Sequence, residues 1–172
     1  MAEVAIAQRE EENPLVEGLE RLPVPGTTLV IFGATGDLSR RKLLPAIYNL
    51  AHEGALPERF NLVGVSRREQ SDEDFRSVAR ESIEEFSRRE SDPQVLEGLL
   101  ERLSYLGLSF DQDGYGRLSE ALDALEGGQP LNRAFYLSTA PEYFGVITNA
   151  LREAGLNPVS YTHLTLPTIL LV

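Results

Sequence analysis

The sequence predicts an α/β fold built on a doubly wound parallel sheet, and three observations predict it. Short, largely apolar runs occur at 28–32, 61–65 and 133–137, each followed by a segment with apolar residues at helical spacing. Runs that are apolar throughout, rather than alternating, suit strands covered on both faces. A glycine-bearing turn, Gly33 to Leu38, separates the first run from the first helical segment.

Residues 1–26 read as an acidic arm. Glu10, Glu11 and Glu12 repel one another, and Pro14, Pro23 and Pro25 interrupt any helix, so a solvated leader is expected. Order begins at Thr27, with Thr28 to Phe32 as the first strand. A helix is predicted over 39–53, with Leu43, Ala46, Ile47, Leu50 and Ala51 inward, Gly54 as its C-cap and Pro45 bending it. Asn61 to Val65 form the second strand and complete a βαβ unit, a crossover that is nearly always right-handed. Ser71 and Asp74 resemble a capping box with Asp in place of Glu, ahead of a stripe of Phe75, Val78, Ala79, Ile83 and Phe86. Asp92-Pro93 opens a further helix, with Val95, Leu96, Leu99, Leu100 and Leu103 inward. A short strand at 105–110, a helix over 115–125 stopped by Gly127-Gly128, a buried strand at 133–137 and a helix over 142–154 ended by Gly155 follow. Residues 27–158 therefore read as one ordered domain, without internal repeats.

Composition bounds the function. Sixteen basic against 27 acidic side chains give a net charge of −11, which argues against general nucleic-acid binding, since that needs a basic surface to displace counterions. With no cysteine, disulfides, thiolate catalysis and cysteine-held zinc are excluded; two histidines, His52 and His163, are too few for a histidine-built metal site. No apolar run reaches the roughly 18 to 20 residues that cross a bilayer. The first residues lack the basic-then-apolar order of a secretory signal. A soluble, cytoplasmic protein with no metal, nucleic-acid or membrane partner is expected. The last 14 residues, 159–172, carry no charge in a chain that is 25% charged. Val159 to Thr168 resemble the translated read-through of a transposon-end sequencing adaptor, so 159–172 are expected to be foreign and Tyr161 and His163 to have no role.

The turn carries the chemistry. Gly33 lets the backbone turn sharply as the strand ends, and Gly36, without a Cβ, lets a pyrophosphate approach the free N–H groups at the helix mouth. The pattern is G-x-x-G rather than G-x-G-x-x-G; alone it also suits mere close packing, and its place between strand and helix favours dinucleotide binding. An acidic residue at the end of the second strand would select NAD through the ribose 2′-hydroxyl. Ser66, Arg67 and Arg68 stand there instead. A guanidinium gives bidentate donors to a phosphate, which predicts NADP, with Arg67 as the leading contact and Arg68 second.

Three segments together resemble the amino-terminal part of glucose-6-phosphate dehydrogenase. They are Gly33 to Leu38 followed by Arg41-Lys42-Leu43-Leu44-Pro45-Ala46, then Leu62 to Arg67, then Asn132 to Pro141, in the family's order and spacing over 27–158. The resemblance implies a Rossmann-like sheet. Gly33, Ala34, Thr35, Gly36, Asp37 and Leu38 would line the NADP pyrophosphate and adjacent ribose, Arg67 would meet the 2′-phosphate, and Ser138 to Pro141 would border the cofactor. Two departures stand out: Ala140 replaces a frequent proline, and Phe144 stands where some members have tyrosine. The implied reaction, in the pentose phosphate pathway, oxidises glucose 6-phosphate to 6-phosphogluconolactone with reduction of NADP, in a homo-oligomer.

The family's later strands, its substrate lysine and its α+β domain with the catalytic histidine–aspartate pair have no counterpart in 1–158. No catalytic residue is assigned, the sheet is expected to be incomplete, and this piece is expected to be inactive. His52 reads as a surface histidine, and Glu84-Glu85 as solvated. An NADP-sensing regulatory module is the rival reading, although such proteins usually continue with another glycine where Asp37-Leu38 stand. A short-chain reductase is excluded because Tyr48, Tyr105, Tyr136 and Tyr143 all lack a lysine four positions later.

Overall fold

The computed structural model describes residues 25–109 and 112–156; the expected arm up to residue 24 and the tail 159–172 lie outside the described residues. Four strands, β1 (Thr27–Phe32), β2 (Phe60–Ser66), β3 (Leu103–Gly107) and β4 (Asn132–Leu137), form one sheet in the order β3-β2-β1-β4. All three pairings are parallel, with Val30 opposite Val63 on one side and Phe135 on the other. The connecting helices are α1 (Leu44–His52), α2 (Asp72–Phe86), α3 (Pro93–Leu100), α4 (Gln112–Glu126) and α5 (Phe144–Glu153).

The helices cover both faces, as a doubly wound sheet requires. Ile31 and Leu62 pack with Ile47, Phe75, Ala79 and Leu96, from α1, α2 and α3. Val30, Phe32, Val63 and Val65 pack on the other face with Leu118, Leu122, Ile147 and Leu151, from α4 and α5. Alternate residues of β1 and β2 thus enter different cores, which is why both strands are apolar throughout rather than alternating.

The caps are those the sequence predicts. Ser71 accepts from the Asp74 N–H, and the Asp74 carboxylate accepts from the Ser71 hydroxyl and N–H; the hydroxyl first and then the N–H hold that carboxyl below its ordinary value. Asp92 accepts from the N–H groups of Gln94 and Val95 at the start of α3. At the end of α1, Gly54 has φ +62°, and the N–H groups of Gly54 and Ala55 return to the carbonyls of Ala51 and Leu50. That 5→2 and 6→1 pairing is a Schellman motif.

Four expectations need correction. The first helix enters through a π-helical turn, Ser39–Leu43, that ends one residue short of Pro45. Proline has no N–H to return to the preceding turn and its ring crowds the carbonyl there, and the widened turn accommodates both. The extra residue in that turn rotates the helix, so the buried face is Leu44, Ile47 and Tyr48, while Ala46 and Leu50 face solvent. Tyr48 is fully buried, and its hydroxyl accepts from the Asp92 N–H at 2.8 Å. The third strand starts at Leu103, not 105, because Leu103 pairs with Leu62 of β2. The strand over 133–137, expected to be buried, is half-buried to exposed along its length, since β4 is an edge of the described sheet. The last helix opens with a 3₁₀ turn, Pro141–Tyr143, before α5. Among the described residues no helix is long and apolar enough to cross a membrane.

Candidate functional site

The carboxyl ends of β1, β2 and β4 meet around the Gly33–Leu38 turn. Parallel pairing brings them level: Phe32 lies opposite Val65 and Leu137. Gly33 has φ +81°, a conformation side chains resist. Its N–H and that of Ala34 both donate to the Val65 carbonyl, at 2.8 and 3.2 Å, tying the turn to β2. On the other flank a β-carbon at Gly33 would overlap the Ser138 carbonyl, and the Ser138 N–H donates to Phe32 at 2.8 Å, tying the turn to β4.

With Gly33 and Ala34 committed and the Gly36 N–H donating to the Gly33 carbonyl at 2.9 Å, further donors remain at the helix mouth. The N–H groups of Thr35, Asp37 and Leu38 donate to no backbone carbonyl among the described residues. The helix has no side-chain cap at this end and no acidic residue in the π-helical turn; Asp37, exposed, sits 3.9 Å from Arg41. Uncapped donors at the positive end of a helix dipole form an anion site. Ala34 is buried, so only its main chain faces the turn, whereas Leu38 is 46% exposed.

At the end of β2, Ser66 and Tyr105 hydroxyls are 2.5 Å apart, and Tyr105 donates onward to the Arg68 carbonyl at 2.6 Å. Burial pushes the Tyr105 hydroxyl above its ordinary value, so it remains a donor at neutral pH. The Arg68 main chain is thereby pinned, and both arginine side chains are exposed. Arg67 lies with its guanidinium 5.5 Å from the centre of the Tyr143 ring. Two carboxylates lie nearby, Glu69 against Gly107 of β3 and Asp72 accepting from the Tyr105 N–H at 2.7 Å, both on the side of β2 away from β1. Both therefore sit toward β3 rather than toward the turn.

The structure brings Gly33 to Leu38 and Ser138 together and sets Arg67 across from Tyr143, at the ends of the two strands flanking β1. The Thr139 hydroxyl, within the expected 138–141 border, is buried beside Gly33 with no hydrogen-bond partner among the described residues. Two neighbours, Ser39 and Tyr143, were not singled out from sequence. Ser39 is buried, and its hydroxyl donates to the Gly33 carbonyl at 3.1 Å, with the Ser138 hydroxyl at 3.4 Å. His52, Glu84 and Glu85 are exposed, as their sequence context implied.

Turn and cofactor fit on chemical grounds: close approach at two glycines, uncapped N–H donors, an unpartnered buried hydroxyl, and guanidinium donors at the β2 end. The family model described as glucose-6-phosphate dehydrogenase, NAD binding domain, matches residues 30–165. A glucose-6-phosphate 1-dehydrogenase of Chlamydia pneumoniae is 46% identical over 135 residues, covering 77% of this chain and 26% of the relative. Glucose-6-phosphate 1-dehydrogenase 2 of Mycobacterium bovis is 40% identical over 150 residues, covering 84% and 29%. Among solved structures, a glucose-6-phosphate dehydrogenase in complex with its substrate glucose-6-phosphate superposes with TM-score 0.68 at 29% identity, covering 76% of this chain and 28% of that one. The Mycobacterium avium glucose-6-phosphate 1-dehydrogenase gives 0.67 at 32% identity, covering 77% and 28%. The chain thus spans little more than a quarter of the length of these relatives.

Proposed function

The chain belongs to the glucose-6-phosphate dehydrogenase family, and from that premise we propose that it forms the NADP-binding part of an enzyme oxidising glucose 6-phosphate to 6-phosphogluconolactone. The supporting observation is the turn itself: Gly33 seated against Ser138, with the N–H groups of Thr35, Asp37 and Leu38 open at the helix mouth. These main-chain donors hold the pyrophosphate, Gly36 gives it room, and Ser138 borders the nicotinamide side. Arg67 meets the 2′-phosphate, with Arg68 second. NADP supplies hydride acceptance, and the residues of this chain bind and orient it. The role proposed for the described residues is to bind the coenzyme; the base for the sugar hydroxyl is assigned to none of them. A cytoplasmic setting and a homo-oligomeric parent enzyme belong to the same proposal.

Calorimetric titration of the chain with NADP and NAD tests it. Arg67→Ala lowers NADP affinity about tenfold or more and leaves NAD within about twofold, the loss expected of a charge-assisted phosphate contact. Equal losses for both coenzymes would remove the 2′-phosphate assignment.

A further inference from the structure

Arg67 and Tyr143 leave opposite flanks of β1. Arg67 follows the last residue of β2, Tyr143 closes the 3₁₀ turn after β4, and β1 lies between those strands. A guanidinium 5.5 Å from the Tyr143 ring centre therefore reaches across the carboxyl end of β1, where Gly33 begins the turn. Of the two partners the ring is the fixed one. Tyr143 is half-buried against the core that includes Phe32, Val65 and Ile147, its N–H donates to the Ala140 carbonyl at 3.0 Å, and Pro141 constrains the turn below it. Arg67 is exposed.

We propose that Tyr143 is a positioning residue for coenzyme selectivity: its ring holds the Arg67 guanidinium by its face over the nucleotide turn. This rests on the reading of Arg67 as the 2′-phosphate contact. A guanidinium held by its π-face keeps its in-plane N–H donors free, and those are the ones a phosphate takes in bidentate fashion. An unsupported arginine would lose several rotors on capturing the phosphate, whereas one resting on an anchored ring is largely preordered. The ring, not the phenol hydroxyl, does this, so phenylalanine serves equally well and an aliphatic residue does not.

The test measures binding of NADP, NAD and 2′,5′-ADP to the chain and its variants. Tyr143→Leu weakens NADP and 2′,5′-ADP about fivefold, the scale of an exposed cation–π contact, and leaves NAD within about twofold. Tyr143→Phe keeps all three within about twofold of the parent. In an Arg67→Ala background, Tyr143→Leu has no further effect on NADP. Retained NAD binding shows that each variant is folded. The inference is overturned if Tyr143→Leu weakens both coenzymes alike, leaves NADP unchanged, or acts as strongly without Arg67. If Arg67→Ala spares the preference for NADP, the reading of Arg67 fails first; if it abolishes the preference while Tyr143→Leu does not touch it, this inference alone fails. A chain that binds no nucleotide overturns both.

Discussion

Gly33 and Ser138 approach so closely that a β-carbon on the glycine would overlap the serine carbonyl oxygen. That oxygen belongs to the main chain and cannot swing aside. Gly33→Ala also forces a side chain into φ +81°, a penalty of about 1–2 kcal/mol before any clash. The expected total is about 3 kcal/mol or more. Gly36 differs: its φ is ordinary, and a β-carbon there meets only the Gly33 carbonyl at 3.1 Å. Gly36→Ala is therefore expected to keep its stability within about 1 kcal/mol while losing NADP affinity, because the methyl crowds the anion and not the fold. Urea unfolding with parallel NADP titration of the two variants separates these outcomes.

Glu126, at the end of α4, is 4% exposed and accepts from Arg133 of β4 through Nε and one terminal nitrogen, both at 2.9 Å, with Thr28 of β1 at 3.2 Å. Burial alone would raise its carboxyl, but the Arg133 hydrogen bonds and charge outweigh burial and hold it below its ordinary value of 4.5. A carboxyl depressed on folding adds stability that is present above the unfolded value and lost as pH falls through the folded one. Glu126→Gln is expected to cost about 2 kcal/mol at pH 7, because Arg133 keeps only the exposed Asp123 as a charged partner. Below about pH 4.5 the difference between wild type and variant shrinks, as the native carboxyl takes up its proton. Urea midpoints measured from pH 7 to pH 3 check this; parallel curves would show that the charge of Glu126 contributes nothing.

How much of this was legible in the sequence depends on which interactions are local. Ser71, Asp92, Gly54 and Gly155 act within a few residues of themselves, so these caps read correctly, whereas the seat of Gly33 against Ser138 is long-range. The buried face of α1 did not, because Pro45 expresses itself as a π-helical turn that shifts the helical phase, and a fixed period cannot represent that shift. β4 read as buried because Ala134 to Leu137 are apolar; exposure is a property of strand order, which the run does not encode. Ser39 and Tyr143 escaped for a related reason. Each acquires its role only when β4 pairs beside β1, 99 residues separating Ser39 from Ser138.

Gly64, in the middle of β2, holds a third glycine role beyond the turn. A β-carbon there would meet the Phe75 ring at 2.5 and 2.8 Å and the Ala34 methyl at 3.0 Å, so its absence lets α2 lie close on the sheet beneath the nucleotide turn. Phe75 is fully buried and its ring lies tilted against Tyr105, centroids 5.3 Å apart, which leaves it little room to retreat. Gly64→Ala is therefore expected to destabilise by about 1–3 kcal/mol, the usual cost of overpacking. Shortening the obstructing ring relieves it: in Phe75→Leu, itself destabilised, the added cost of Gly64→Ala falls below about 1 kcal/mol. A double-mutant cycle by urea denaturation measures that coupling. Because Ala34 stands on the same β-carbon position, the single Gly64→Ala variant also presses on the turn and weakens NADP more than stability alone explains, whereas the pair recovers part of the binding. Additive costs in the cycle would mean that Gly64 is there for some reason other than the closeness of Phe75.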